Sequence, residues 1–386
     1  MTTCVFFYVQ HLLGIGHLAR ASRIASAVQA RGMAVTLVTG GLPVAGFPPT
    51  GLDHVALPPL AVSDGDFAGL VDGTGNPADA AYLDARRAAL LAAVDRLRPD
   101  VVITEAFPFG RRQVRFELLP LLAAIAVARP RPILLASVRD ILQQRAKPGR
   151  DADTVDLVRA HYDRVLVHGD PAFAALGDTF PLADQIADKV IHTGLVCPPV
   201  PVPAPERFDI VVSAGGGAVG AGLVRAALAA VALRPALDRV LVITGPNLPQ
   251  ADYDALAALA PPAVTLCRFR SDFAALLASA RLSVSQAGYN TVADIVQAGC
   301  RAVLVPFAAG GETEQTDRAT RLHQAGRAVM LAEADLSGPA MATAIDRALA
   351  QDITAAGRLA QTDGAARVAD IIADLMAARA DQTEIT

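Results

Sequence analysis

The sequence has few cysteines, and none are spaced as a zinc-binding pair. Its four cysteines, Cys4, Cys197, Cys267 and Cys300, are scattered along 386 residues. No two of them are separated by only two residues, so the spacing predicts neither a zinc site nor a disulfide framework. This pattern is typical of proteins in a reducing compartment, and we expect a cytoplasmic location.

Long apolar runs and an excess of basic charge are also lacking. The longest apolar stretch, residues 118–128, is far shorter than the ~20 residues needed to span a bilayer. Since no basic residue precedes the first apolar run, we expect no signal peptide. A net charge of -4 argues against a nucleic-acid partner bound by phosphate neutralisation. With 53% hydrophobic and 19% charged residues, the chain is not disordered, and it is long enough for two or three domains.

Short apolar runs alternate with longer segments of helical period. The candidate strands are Cys4–Val9, Ala34–Thr39, Val101–Thr104, Ile133–Ser137, Val165–His168, Ile210–Ser213, Val240–Thr244, Val264–Cys267, Leu282–Ser285, Ala302–Val305 and Ala328–Leu331. The candidate helices between them include Leu18–Arg31, Ala221–Leu233, Thr291–Ala298 and Glu314–Ala325. Strands that alternate with helices indicate parallel sheets covered on both faces, so the predicted class is α/β.

A proline-rich segment near the midpoint separates two such series. Residues 198–205 contain five prolines, which exclude a helix or a central strand and favour a stiff spacer. We predict a first domain over residues 1–196, a linker over 197–207, a second domain over 208–363 and a final helix over 364–386. A long surface loop is the alternative interpretation of the proline segment.

A glycine turn follows the first strand of each domain. In the first turn, Gly14 and Gly16 precede His17 and Arg20 at the start of a helix. The positive helix end disfavours a cationic imidazole, so His17 is a candidate base; a helix-start histidine without a catalytic role is the alternative.

The second turn contains Ser213, Gly215, Gly216 and Gly217, and a helix follows it. Consecutive glycines and a helix N-terminus favour contact with a phosphate over a plain tight turn. The turn has no Lys-Ser/Thr of a P-loop, and no acidic residue closes the next strand as a dinucleotide site would require.

A third segment has the most specific pattern. After the strand that ends at Ser285 come Gly288, Asn290, Thr291 and Asp294, then Glu314 and Gln315 after the next strand. We expect Asn290 or Thr291 to cap a helix, and Asp294 to lie in that helix's first turn, where it can accept hydrogen bonds from sugar hydroxyls.

These motifs together resemble those of the family 28 glycosyltransferases, which have the GT-B fold. The resemblance is carried by Gly-Ile-Gly-His-Leu-Ala-Arg from residue 14, Ser-Ala-Gly-Gly-Gly from residue 213 and Gly-Tyr-Asn-Thr-Val-Ala-Asp from residue 288. It implies two Rossmann-like domains that face each other across a cleft, with the acceptor on the first domain and the nucleotide sugar on the second. It also implies that the final helix crosses back to the first domain.

The resemblance assigns roles to individual positions. The donor diphosphate would lie against residues 215–217 and 288–291, and Asp294 would hold the ribose. Glu314 and Gln315 would hold the donor sugar, and the backbone around Arg268 and Phe269 would contact the base. The implied partners are a nucleotide-sugar donor, most simply a UDP-sugar, and an unidentified hydroxyl acceptor, with at most peripheral membrane contact and no cofactor.

Several residues and motifs of the sequence have more than one interpretation. Glu105 follows a candidate strand and is a second candidate base, or else a solvated loop residue. Residues 64–66 and 151–153 match the Asp-x-Asp of metal-dependent transferases, but so short a pattern arises by chance, and we predict no metal. Arg111, Arg112 and Arg115 form either a weak anion-binding patch or the exposed start of a buried helix. A nucleotide-sugar hydrolase and a non-catalytic nucleotide-sugar binding protein are the alternatives to a transferase.

Overall fold

The computed structural model describes residues 2–384, apart from 13, 64–65, 144–148, 217–218 and 354–360. The chain divides into two compact units. The first unit is Met1–Val196 together with Asp363–Thr386, and the second is Cys197–Thr362. None of the helices in the described part is both long enough and apolar enough to cross a membrane.

The first unit is built on a parallel sheet. Its strands are β1 (Cys4–Val9), β2 (Ala34–Thr39), β3 (Asp53–Ala56), β4 (Ala61–Ser63), β5 (Asp66–Val71), β6 (Val101–Glu105), β7 (Ile133–Arg139), β8 (Arg164–His168) and β9 (Val190–His192). Strands β4 and β5 pair antiparallel with each other, and the others form the parallel sheet in the order β3-β2-β1-β6-β7-β8-β9. The longer helices are α1 (Gly16–Ala30), α2 (Ala80–Leu97), α3 (Arg115–Val127) and α4 (Arg150–His161).

The second unit repeats this plan. Its strands are β10 (Ile210–Ser213), β11 (Val240–Ile243), β12 (Val264–Cys267), β13 (Leu282–Ser285), β14 (Ala302–Leu304) and β15 (Val329–Met330), all parallel, in the order β12-β11-β10-β13-β14-β15. Its helices are α5 (Ala221–Ala232), α6 (Gln250–Leu259), α7 (Phe273–Ser279), α8 (Tyr289–Ala298), α9 (Glu314–Gln324) and α10 (Gly338–Ala350). Both units therefore confirm the α/β class.

The last helix, α11 (Gly364–Glu384), belongs to the first unit. The amide of Gly364 donates to the carbonyl of Leu195 at 3.0 Å, and Arg31, which follows α1, pairs with Asp370 at 2.9 Å. The proline-rich segment belongs to the second unit, where the amide of Ala204 donates to a carbonyl of α7 at 3.0 Å.

A buried polar network fixes the chain after β1. Arg86 of α2 donates to Glu117 of α3 at 2.8 Å, and Tyr8 donates to the same carboxylate at 2.5 Å. Arg86 also donates to the side chain of Gln10 at 2.6 Å. All four side chains are fully buried. A buried ion pair whose remaining polar atoms are also bonded holds one geometry, so this network anchors the segment that leads into the first glycine turn.

Candidate active site

The carboxyl edge of the first sheet brings together residues that are far apart in the sequence. His17 is the second residue of α1, and Glu105 is the last residue of β6, a strand that pairs directly with β1. Nδ1 of His17 lies 2.9 Å from Oε1 of Glu105. A carboxylate can only accept, so Nδ1 carries the proton and Nε2 keeps its lone pair. The His17 side chain is 16% exposed and Glu105 is fully buried, so the imidazole is the member of this pair that a substrate can reach.

The surroundings keep His17 neutral. Burial lowers the pKa of His17 well below its ordinary value, and the charges of Arg111 and Arg20 lower it further, against the opposing effect of Glu105. The sequence also predicts a neutral imidazole, because the positive end of the helix dipole disfavours the cationic ring. The structure adds burial and two guanidinium groups as causes.

Glu105 is ionised and tightly held. Burial by itself would raise the pKa of Glu105, but Arg20 and His17 together hold it far below the ordinary range. Arg20 is 2% exposed and donates to Oε1 of Glu105. Because Glu105 has so little affinity for a proton, His17 is the better candidate base, and Glu105 and Arg20 orient it.

The remaining residues of the first turn are placed as follows. Gly14 is exposed and Gly16 begins α1, whose N-terminal residue makes no side-chain capping bond. Of the basic patch, Arg112 and Arg115 pair with Asp153 at 2.5 and 3.3 Å. These pairs favour the exposed start of a buried helix as the explanation of those two residues.

At the carboxyl edge of the second sheet, two turns lie side by side because β10 and β13 are neighbours. The amide of Gln286 donates to the carbonyl of Ser213 at 3.4 Å. A Cβ added at Gly215 (φ +77°) would meet Oε1 of Gln286 at 3.0 Å, whereas one added at Gly216 would meet no atom within 4 Å. Gly216 is therefore an exposed backbone position with open space in front of it. Gly217 lies outside the described residues.

Two helices begin at this edge without side-chain caps. Helix α5 follows Gly220, and α8 follows Gly288, and neither flanking residue makes a side-chain capping bond. A helix N-terminus without a side-chain cap is a place where an anion can bind. The prediction that Asn290 or Thr291 caps α8 is wrong, since both lie inside the helix.

The predicted position of Asp294 within α8 is also wrong. The helix begins at Tyr289, two residues earlier than predicted, so Asp294 is in the second turn. It is 9% exposed. Its assignment to a ribose hydroxyl remains a prediction.

Glu314 and Gln315 occupy different environments. Glu314 is 3% exposed and pairs with Arg318 at 2.9 Å, and Arg318 donates to the carbonyl of Ala287 at 3.2 Å. Oε1 of Gln315 accepts from the amides of Ala287 and Phe307 at 3.1 and 3.2 Å. Gln315 thus ties together the loops that follow β13 and β14, and its Nε2 donates to none of the residues that the structure describes.

The predicted base-binding loop has one fixed and one exposed side chain. Arg268 donates to the carbonyl of Leu248 at 2.7 Å and to Gln250 at 2.6 Å, and its guanidinium lies 4.5 Å from the ring centre of Tyr253. Phe269 comes next, two residues beyond the end of β12, and is 60% exposed. This leaves an aromatic face for a ligand.

No group of three or more possible metal ligands occurs among the residues that the structure describes. Of the two Asp-x-Asp matches, Asp64 and Gly65 lie outside those residues. In the other, Asp153 is an exposed helical residue paired with arginines.

Sequence reasoning missed Ser137 and His168. Ser137 donates to Oε2 of Glu105 at 2.5 Å, and His168 lies 2.7 Å from the Ser137 hydroxyl. The sequence contained a signal for both residues, because each is the last residue of a predicted strand, Ile133–Ser137 or Val165–His168. Carboxyl ends of parallel strands are where functional side chains gather.

Comparisons with known proteins agree with this architecture. A family model described as the glycosyltransferase family 28 C-terminal domain matches residues 211–375. The UDP-N-acetylglucosamine–N-acetylmuramyl-(pentapeptide) pyrophosphoryl-undecaprenol N-acetylglucosamine transferase of Brucella anthropi is 32% identical over 49% of this chain and 54% of that protein. The protein of the same name from Rhodopseudomonas palustris is 29% identical over 94% of both chains. The alignment with the Brucella relative thus spans about half of that protein's length.

Solved structures show the same fold. The calicheamicin glycosyltransferase CalG4 superposes with a TM-score of 0.64 at 20% identity, over 97% of this chain and 98% of that one. MurG of Acinetobacter baumannii superposes with a TM-score of 0.61 at 17% identity, over 96% of this chain and 99% of that one. The predicted GT-B fold of two Rossmann-like domains is confirmed, and over residues 211–375 the chain matches the family 28 glycosyltransferases.

Proposed function

We propose that the protein transfers a sugar from a nucleoside-diphosphate sugar to a hydroxyl acceptor. The observation that carries the proposal is the pair of uncapped helices, α5 and α8, which follow neighbouring glycine turns within the matched family 28 domain. Such helix ends favour the negative charge that grows on a departing nucleoside diphosphate. The second unit would hold the donor, and the first would supply the base.

The proposed chemistry divides between the two units. Nε2 of His17 takes the proton of the acceptor hydroxyl, while Glu105 stabilises the imidazolium that forms. The amides at Gly216 and Gly288 face the diphosphate, and the backbone near Phe269 contacts the base. The names of the relatives make UDP-N-acetylglucosamine the first donor to test and a lipid-linked diphosphate sugar the first acceptor. A cytoplasmic location is part of the same proposal.

The test measures what becomes of the donor sugar. The protein is incubated with UDP-N-acetylglucosamine, with and without an undecaprenyl-linked or simpler hydroxyl acceptor, and both UDP release and the sugar product are quantified. A transferase releases UDP at a rate that depends on the acceptor. Free sugar formed at the same rate without an acceptor would indicate a hydrolase, and donor binding with no turnover would indicate a binding protein.

We expect the activity to be independent of divalent cations. If the helix N-termini stabilise the leaving diphosphate, then excess chelator should leave the rate within about twofold of the untreated enzyme. A parallel sample with added magnesium or manganese serves as the control. If the chelator abolishes activity and magnesium or manganese restores it, then a metal ion stabilises the leaving diphosphate.

We expect Gln315→Glu to weaken the donor but not the free nucleotide. A glutamate keeps an oxygen to accept the amides of Ala287 and Phe307, so the two loops stay tied, but it lacks the Nε2 donor. The lost hydrogen bond to the sugar contributes ~0.5–1.5 kcal/mol, and it is absent from the complex with UDP. Calorimetry should therefore show affinity for the UDP-sugar reduced about tenfold and affinity for UDP nearly unchanged.

Gln315→Ala is the matched comparison for this prediction. It removes both the donor and the acceptor, so the loops are released as well, and both ligands should bind more weakly. Equal losses for UDP and UDP-sugar in Gln315→Glu would contradict the placement of the sugar at this side chain.

A further inference from the structure

A continuous line of buried hydrogen bonds runs across the first sheet and ends at His17. Nδ1 of His168 lies 3.0 Å from the hydroxyl of Thr193, and its Nε2 lies 2.7 Å from the hydroxyl of Ser137. Ser137 lies 2.5 Å from Oε2 of Glu105, whose other oxygen lies 2.9 Å from Nδ1 of His17. The four residues from Thr193 to Glu105 are at most 1% exposed.

The strand register explains why these side chains meet. Glu105 pairs with Ser137 across β6 and β7, and Ser137 pairs with Leu166 across β7 and β8. His168 is two residues beyond Leu166 and so projects from the same face. Thr193 follows β9, one residue beyond the partner of Val167. The line therefore follows one face along the carboxyl edge of the sheet.

The ionised carboxylate fixes the direction of the protons in this line. Glu105 can only accept, so the single hydroxyl proton of Ser137 points to Oε2. The opposite arrangement would leave two oxygen atoms 2.5 Å apart with no proton between them. The Ser137 oxygen then accepts from Nε2–H of His168, which leaves Nδ1 of His168 as an acceptor.

The Thr193 end of the line is consistent with hydrogen bonds that are donated toward Glu105. Burial lowers the pKa of His168 to about 3, so the ring is neutral and carries one proton. The Thr193 hydroxyl can donate to Nδ1 of His168 or to the carbonyl of Gly194, both at 3.0 Å. The direction is therefore set from the Glu105 end.

We propose that Ser137 and His168 are positioning residues, which hold Glu105 so that Nδ1 of His17 stays protonated and Nε2 stays a free base. The protons that His17, Ser137 and His168 contribute to the line all point toward Glu105. His168 orients the Ser137 hydroxyl, and Ser137 donates to the carboxylate oxygen that His17 does not contact. Glu105 therefore cannot rotate without breaking its bonds to Ser137, His17 and Arg20. That this base serves sugar transfer rests on the proposed function, but the tautomer of His17 does not.

The first measurement is made on the wild-type protein by ¹⁵N NMR of labelled histidine, which distinguishes protonated from unprotonated ring nitrogens. We expect His17 to be protonated at Nδ1 and His168 at Nε2. The assignment uses His17→Gln and His168→Gln, in each of which one pair of signals disappears. Because no turnover is involved, this result stands whether or not the transferase activity is found. Protonation of His17 at Nε2 overturns the proposal.

The second measurement compares Ser137→Ala with Ser137→Thr. Without the hydroxyl, Glu105 loses a donor and stabilises the His17 imidazolium more strongly, so the acid limb of kcat/KM should move to higher pH. The other groups acting on His17, Arg20 and Arg111, are unchanged. We expect little change in donor KM, since Ser137 lies in the first unit and the proposed donor site in the second.

Ser137→Thr retains the hydroxyl and should restore both the pH profile and the His17 signals. A purely structural role predicts lower stability with an unchanged acid limb, and that outcome overturns the proposal. If Ser137→Ala does not fold, the wild-type tautomer and the pH profile of Ser137→Thr still decide the question. The proposal is supported if His17 of the wild-type protein is protonated at Nδ1 and if the pH dependence of kcat/KM in Ser137→Thr matches that of the wild type.

Discussion

Gly216→Val should reduce nucleotide affinity at least ~100-fold, which corresponds to about 2.7 kcal/mol of binding free energy. An added Cβ at Gly216 meets no protein atom within 4 Å, so we expect the folded protein to accommodate a valine there and only a ligand to be displaced. Isothermal calorimetry with UDP measures the loss, and circular dichroism melting confirms the fold.

Two controls separate the ligand effect from a general one. Gly216→Ala adds one carbon at the same place and should lose less affinity. Gly177→Val adds the same side chain in the first unit, where an added Cβ meets only Cβ of Ala183 at 3.8 Å, and should bind UDP normally. Normal UDP binding by Gly216→Val would remove the basis for a diphosphate site at this turn.

The strands were predictable where apolar runs end at glycine, proline or polar residues. The bounds of β1, β2, β10, β12 and β13 agree with the prediction residue for residue. The prediction missed β3, whose sequence Asp-His-Val-Ala is largely exposed and has no apolar run. Strands β4, β5 and β9 were missed as well. Such strands form because a neighbouring strand pairs with them, and a local pattern does not contain that information.

The site was predictable as a set of residues but not as a set of contacts. His17 and Glu105 were chosen separately, as alternative bases, because 88 positions separate them. Only the adjacency of β1 and β6 places them in one hydrogen bond, and the low pKa of Glu105 then gives the two residues different roles. In the same way, Gln315 was expected to face a sugar, and its bond to two loop amides depends on tertiary structure.

His17→Ala should lower turnover by ~10²–10⁴ while leaving UDP affinity unchanged. The imidazole is proposed to remove the proton of the acceptor hydroxyl, and it lies in the first unit, whereas the proposed diphosphate site lies in the second. Steady-state kinetics with the donor and acceptor that the wild-type enzyme uses, together with calorimetry for UDP, measure the two quantities separately.

The pH dependence gives an independent test of His17. Burial and the neighbouring guanidinium groups lower its pKa well below 6.5, so Nε2 is unprotonated at neutral pH. As the pH falls through this lowered pKa, protonation removes the base, and kcat/KM of the wild-type enzyme should fall there. The activity of His17→Ala should not show this fall. Glu105→Gln keeps the imidazole but loses the negative charge that stabilises the protonated ring, so in this variant kcat/KM should fall at a lower pH than in the wild-type enzyme. If His17→Ala retains near-normal turnover and Glu105→Gln does not, then Glu105 takes the proton and the roles assigned to this pair are reversed.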